Sequence, residues 1–295
     1  MASQSLSVKN FFSRLFTIVF LSDGDLSDMI SSDAMLLAAV VIVMSVVAAL
    51  LFAVLAAVRQ LREEVRYDIP PARRAAVEGS VLAVVRGGAE AGVAFFVSPT
   101  VALTAAHNVQ SSSSRRRAAA VECIRPSDST RLYFNIASFD AALDVAVLRL
   151  RAGEPASPHY LAVPLSMPAV GANGLYLVTC NIRMAAELPG VASVGVAWHG
   201  ARITHLHSRH FLYDAVAFDG DAGGAVVVAR TGEVFGLHTE IVNAARELLE
   251  RKEAVGERLN NVELSIKSLI RGTAFGCLGV RLDSDAARRM ISDAS

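Results

Sequence analysis

The chain has 295 residues, of which 53% are hydrophobic, and Lys plus Arg equals Asp plus Glu at 28 each. That length admits one domain of about 200 residues with an appendage, or two small domains. The balanced charge gives no basic footprint for a nucleic-acid partner, and a mean hydropathy of +0.43 places part of the apolar content outside a water-soluble core.

Residues 1–33 carry Lys9 and Arg14, several serines and an apolar stretch too short to span a bilayer. They suit an organelle-targeting or membrane-surface helix, or a frayed terminus. The run 34–58 is interrupted only by Ser45 and has no charge, Gly or Pro. About 20 apolar residues cross the hydrocarbon core, so a single transmembrane helix is expected over 34–58. Asp23, Asp25, Asp28 and Asp33 precede it, while Arg59, Arg62 and Arg66 follow it. The positive-inside rule then puts the C-terminal portion on the cytoplasmic side. Pro70 and Pro71, in a charged stretch, mark 59–76 as a linker.

From Val77 the pattern changes to short β-branched and apolar runs. SVLAVV, GVAFFV, VALTAAH, RLYFNI, DVAVLRL, LYLVTC, ASVGVAW, FLYDAVAF, GAVVVA and EVFGLH are separated by Gly, Pro, Asn or Ser clusters. This spacing argues for an all-β barrel or sandwich. In Leu103-Thr104-Ala105-Ala106-His107-Asn108-Val109, small residues let a tight turn present the histidine ring. The following Ser111-to-Arg117 stretch reads as a solvated loop. In Leu143-Asp144-Val145-Ala146-Val147-Leu148, a carboxylate heads a buried strand, which is costly without a partner; Asp140 is its alternate. His199, His205, His207 and His210 include an HxHxxH pattern, but no Cys or carboxylate set accompanies them and no metal is expected.

Asp219-Gly220-Asp221-Ala222-Gly223-Gly224 is the glycine-rich turn of the chain, and Gly236-Leu237-His238-Thr239-Glu240 follows as a strand. Over 243–270, Leu248, Val255, Leu259, Val262, Ile266 and Leu269 form a helical stripe. One long amphipathic helix is expected there, with Gly256 as the place where it could break. Residues 276–282 read as a last strand and 284–295 as a short polar tail. Cys123, Cys180 and Cys277 are odd in number and dispersed, which suits buried free thiols in a reducing compartment.

Three of these segments, in chain order, resemble the histidine, aspartate and nucleophile motifs of trypsin-like serine peptidases: Leu103–Val109, Leu143–Leu148 and Asp219–Val227. The resemblance covers about residues 77–240, with 276–282 as a closing strand. It implies a trypsin-like double β-barrel over 77–283 with its site in the cleft between barrels. Such chemistry needs an attacking hydroxyl, an imidazole base, a carboxylate that orients the imidazole, and two amides for the oxyanion. Carried over by resemblance, His107 is the base and Asp144 its orienting partner. The N–H groups of Gly220 and Ala222 form the oxyanion hole, and Val216, His238 and Thr239 line the substrate pocket.

Four of the five positions of the family's Gly-Asp-Ser-Gly-Gly are matched. The fifth is Ala222, where the nucleophilic serine would stand. Val216 occupies the position where relatives that cut after basic residues carry an aspartate. His238 falls where glutamate- and glutamine-preferring relatives carry a pocket histidine. No cysteine flanks His107, and no Ile-Val-Gly-Gly start follows a basic cleavage site, so Asp221 is not expected to pair with a freed N-terminus. The chain looks closer to intracellular, viral or organellar relatives.

The expected function is a membrane-anchored homologue without proteolytic turnover that binds a polypeptide or protein partner. Two alternatives stay open. One is a serine endopeptidase carrying an inactivating Ser-to-Ala substitution. The other is a structural membrane protein that assembles, as a homo-oligomer, through 243–270. No cofactor is expected.

Overall fold

The computed structural model describes residues 44–48, 50–51, 69–87, 89–110, 120–172, 174–184 and 192–294. Contacts divide the chain into units 1–63 and 64–295. In the first unit, residues 44–48 and 50–51 are helical with exposed side chains. The rest of the span expected over 34–58 lies outside the described residues, as do the 1–33 segment, residues 59–68 of the linker and the 111–117 loop. Among the described residues no helix is long and apolar enough to cross a membrane.

The second unit holds two closed six-stranded barrels. The first comprises β1 (Val81–Arg86), β2 (Ala89–Phe96), β3 (Val101–Ala105), β4 (Val121–Ile124), β5 (Arg131–Asp140) and β6 (Val145–Leu150). They run antiparallel in the order β1-β2-β3-β6-β5-β4. The second comprises β7 (Leu175–Met184), β8 (Ala192–Leu206), β9 (His210–Asp214), β10 (Ala225–Val228), β11 (Val234–Ile241) and β12 (Cys277–Arg281). Its order is β7-β8-β9-β12-β11-β10.

Strands such as β1, β3, β6 and β10 read as continuous apolar runs because both of their faces are buried, whereas β5 alternates buried Leu132 and Phe134 with exposed Arg131, Tyr133 and Asn135. In β1, Leu82 and Val84 fill the first barrel with Phe96, Leu132, Phe134 and Leu148. Val81 and Ala83, one residue out of phase, pack instead with Leu103, Val178, Val227 and Leu237, which joins the two barrels. Phe211, Tyr213 and Phe235 fill the second barrel. The three cysteines are buried and free.

Helices make three departures from the sequence expectation. Residues 71–76, expected as part of the linker, are helical. Pro71 starts α1 (Pro71–Ser80), where a proline at the first helical position loses no hydrogen bond. Ile69 and Val77 are buried on the inter-barrel core, and Glu78 accepts a 2.9 Å bond from the Trp198 indole. The polar tail forms α5 (Asp285–Ala294), because Ala287, Met290, Ile291 and Ala294 supply an apolar face for that core.

Between these, α2 (Ala106–Val109) is a single turn after β3. The long helix over 243–270 is two: α3 (Val242–Ala254) and α4 (Asn261–Leu269). Gly256, at φ +77°, ends the first in the left-handed conformation. Asn260 starts the second with a capping box closed by Glu263. Their inner face, Ala245, Leu249, Leu259, Ile266 and Ile270, packs on Leu212 and Leu278 of the second barrel. Val255, at the break, is exposed, and Leu248 points away from this core.

Candidate active site

His107 sits in α2 at the end of β3, Asp144 immediately before β6, and Ala222 just before β10. β3 and β6 pair up to Ala105 and Val145, so the first two residues meet by strand register. The Asp144 carboxylate takes the His107 main-chain N–H at 3.0 Å and stands 2.9 Å from Nδ1. Asp144 holds an uncommon φ of +59° to present both oxygens. Its alternate, Asp140, is occupied elsewhere: it accepts the N–H groups of Ala142 and Leu143 and caps the β5–β6 turn.

The turn around Ala222 is fixed from several sides. Asp221 N–H donates to Phe218 O at 3.0 Å, and Gly220 between them has φ +94°, as a type II turn requires at its third position. The buried Asp221 carboxylate accepts Phe218 N–H at 2.8 Å. Gly223, at φ +88°, donates to His238 O. A Cβ there would stand 1.9 Å from Val93 O, so only glycine lets β2 pass this close. Among the described residues, neither Gly220 N–H nor Ala222 N–H donates to a protein acceptor, and both residues line the same cleft as His107.

His238 and Thr239 also line that cleft, at the end of β11. Tyr213 Oη lies 2.8 Å from His238 Nδ1, and Thr239 Oγ1 donates to Leu278 O. Val216 is exposed and does not line the cleft. The histidine cluster does not converge. His205 and His207 are exposed, His207 meets Ser265, and His210 is buried. Among the described residues no three His, Cys, Asp or Glu side chains gather as a metal site.

Electrostatics separates the histidines. Burial opposes charge on His107, but the Asp144 hydrogen bond and charge, with Glu240, raise its pKa above 6.5. Burial lowers His238 to about 4, helped by His107 and His199 and opposed by the Leu278 carbonyl. His238 is therefore a neutral ring at neutral pH, whereas His107 is poised to accept a proton.

Two contributors escaped the sequence reading. Glu240, one residue beyond Thr239, lines the cleft with its pKa raised to about 7 by burial and by Asp144, against the pull of His107. Asn108 donates to Ala222 O at 2.8 Å. Its position beside His107 was the only signal for it in the sequence.

Residues 92–237 match the family model described as the trypsin-like peptidase domain. No curated protein matches the sequence. Among solved structures, the inactive form of the Rv3671c protease is 20% identical, covering 58% of this chain and 85% of that one, with a TM-score of 0.44. The active form of that protease, from M. tuberculosis, is 21% identical over 58% of this chain and 77% of that one, with a TM-score of 0.43. A Glu endopeptidase in complex with MPD is 13% identical over 76% and 91%, with a TM-score of 0.48.

Proposed function

Because the chain carries a trypsin-like peptidase domain, we propose that it is a membrane-tethered pseudopeptidase that holds a polypeptide in its cleft without cutting it. The observation that carries this reading is an assembled His107–Asp144 pair, beside a turn whose Gly220 and Ala222 amides find no acceptor among the described residues, around a residue with no nucleophilic atom. Ala222 has neither a lone pair for attack nor a proton for His107 to take. A polypeptide suits the cleft because β11 pairs with β10 only as far as Leu237, while its pairing with β12 continues to Ile241. Residues 239–241 thus keep one edge that an extended strand can join. The uncharged run 34–58 and its arginine flank support the tether, with the barrels on the cytoplasmic side.

The full chain in detergent, incubated with a random hexapeptide mixture and recovered, should release intact peptides to mass spectrometry. Cleaved peptides would overturn the reading. The intact dyad and turn also favour a second reading, an endopeptidase lineage in which Ala222 replaces the working serine; the Ala222→Ser variant would then cut the same mixture.

A further inference from the structure

The cleft at His107, with a volume of about 460 Å³, extends away from the dyad to a wall that the barrels do not build. The α3–α4 hairpin supplies it through Ala244, Leu248, Lys252, Glu263 and Ile266. Three large apolar side chains on this cleft remain open to water: Phe218 at 58%, Leu248 at 44% and Ile241 at 38% exposure. Exposed apolar area gathered in one concavity, continuous with a site, marks a place that a ligand covers.

The charged groups there narrow the choice of ligand. Lys252 is paired with Glu263 across the two helices, so the wall's one cation is already neutralised. Asp219 also lines the cleft, and its carboxylate would repel an acidic side chain at this point.

We propose that the hairpin carries an apolar subsite that takes a bulky aliphatic or aromatic side chain of a polypeptide lying along residues 239–241. The subsite deepens the reading of the cleft as a polypeptide site and rests on it. An extended strand sends alternate side chains to one face, so a single position of the bound segment meets Leu248, while its neighbours face other surfaces.

Fluorescein-labelled hexapeptide libraries, fixed at one position at a time, would be titrated by anisotropy against the full chain in detergent. One position should prefer Leu, Ile, Met or Phe over Asp or Glu by about tenfold, the lower end of what burying one such side chain confers. Leu248→Asp should abolish that preference while leaving the other positions unchanged. Ala244→Trp fills the subsite from an exposed position and should do the same, which keeps the test valid if the first variant folds poorly. Peptide binding with the preference intact in a folded variant would overturn the subsite and leave the polypeptide cleft standing. No saturable binding of any peptide by the parent chain would overturn both.

Discussion

Asn108 donates from Nδ2 to the main-chain oxygen of Ala222 at 2.8 Å, so the residue beside His107 holds the turn on which the nucleophile position sits. The same nitrogen reaches Thr104 Oγ1 at 3.0 Å, and Val93 N–H donates to the same Ala222 oxygen. The first barrel thereby positions a loop of the second. Asn108 is buried, so losing its amide leaves buried groups with fewer partners. Asn108→Ala should cost roughly 1–3 kcal/mol in urea unfolding. An unchanged midpoint would show that the turn is held without the Asn108 amide, by Val93 and the bonds of Asp221 and Gly223.

Two glycines separate backbone strain from close approach. Gly153 and Gly223 share a left-handed φ, +93° and +88°. A Cβ at Gly153 meets nothing within 4 Å, whereas one at Gly223 meets Val93 O at 1.9 Å. Gly153→Ala should cost about 1–3 kcal/mol from the backbone alone. Gly223→Ala should cost clearly more, and equal losses in paired denaturation curves would contradict the packing described here.

Two buried histidines and the half-buried Glu240 set opposing pH slopes on stability. His210 and His238 fall from 6.5 to about 4 on folding, both chiefly by burial. Between those values the unfolded chain binds protons that the folded chain refuses, so these groups cost stability as pH drops from 6.5 to 4. Glu240 rises from 4.5 to about 7. Its contribution is fully present below 4.5 and is lost as pH climbs through 7. His210→Gln should therefore flatten the acid side of the stability curve. Glu240→Gln should gain on the parent as pH rises from 4.5 to 7. Urea midpoints across this range check both, and parallel curves for parent and variants would refute the assignments.

The tether has a direct test. The full chain should stay in the membrane pellet after a carbonate wash, while residues 64–295, the second contact unit, should be released. A full-length chain soluble without detergent would remove the anchor from the account.

The double barrel was legible because strands such as β1, β3, β6 and β10, buried on both faces, leave unbroken apolar runs between turn residues. β4 was missed: Val121–Ile124 is only four residues long and carries Glu122. The stripe through Val255 and Leu259 implied one helix, yet Gly256 and the Asn260–Glu263 box state the break locally. Cap chemistry outweighed periodicity there. His107, Asp144 and the Gly220–Gly224 turn could be read from motifs because each motif is contiguous. Glu240 could not, since its closeness to His107 and Asp144 arises only when strands from different barrels meet. Val216 was placed by its offset from Ala222, but the chain after β9 leaves it on the surface.

The most direct measurement is fluorophosphonate labelling of the full chain and of its Ala222→Ser variant, read by intact-mass shift. The His107–Asp144 pair is formed, and among the described residues the Gly220 and residue-222 amides have no protein acceptor. With a hydroxyl restored, the imidazole can take its proton and the two amides can meet the oxyanion. The account predicts no adduct on the parent chain and a single adduct, at residue 222, on the variant. An adduct on the parent would reveal another nucleophile in the cleft, and an unlabelled but folded variant would show that more than one hydroxyl separates this site from catalysis.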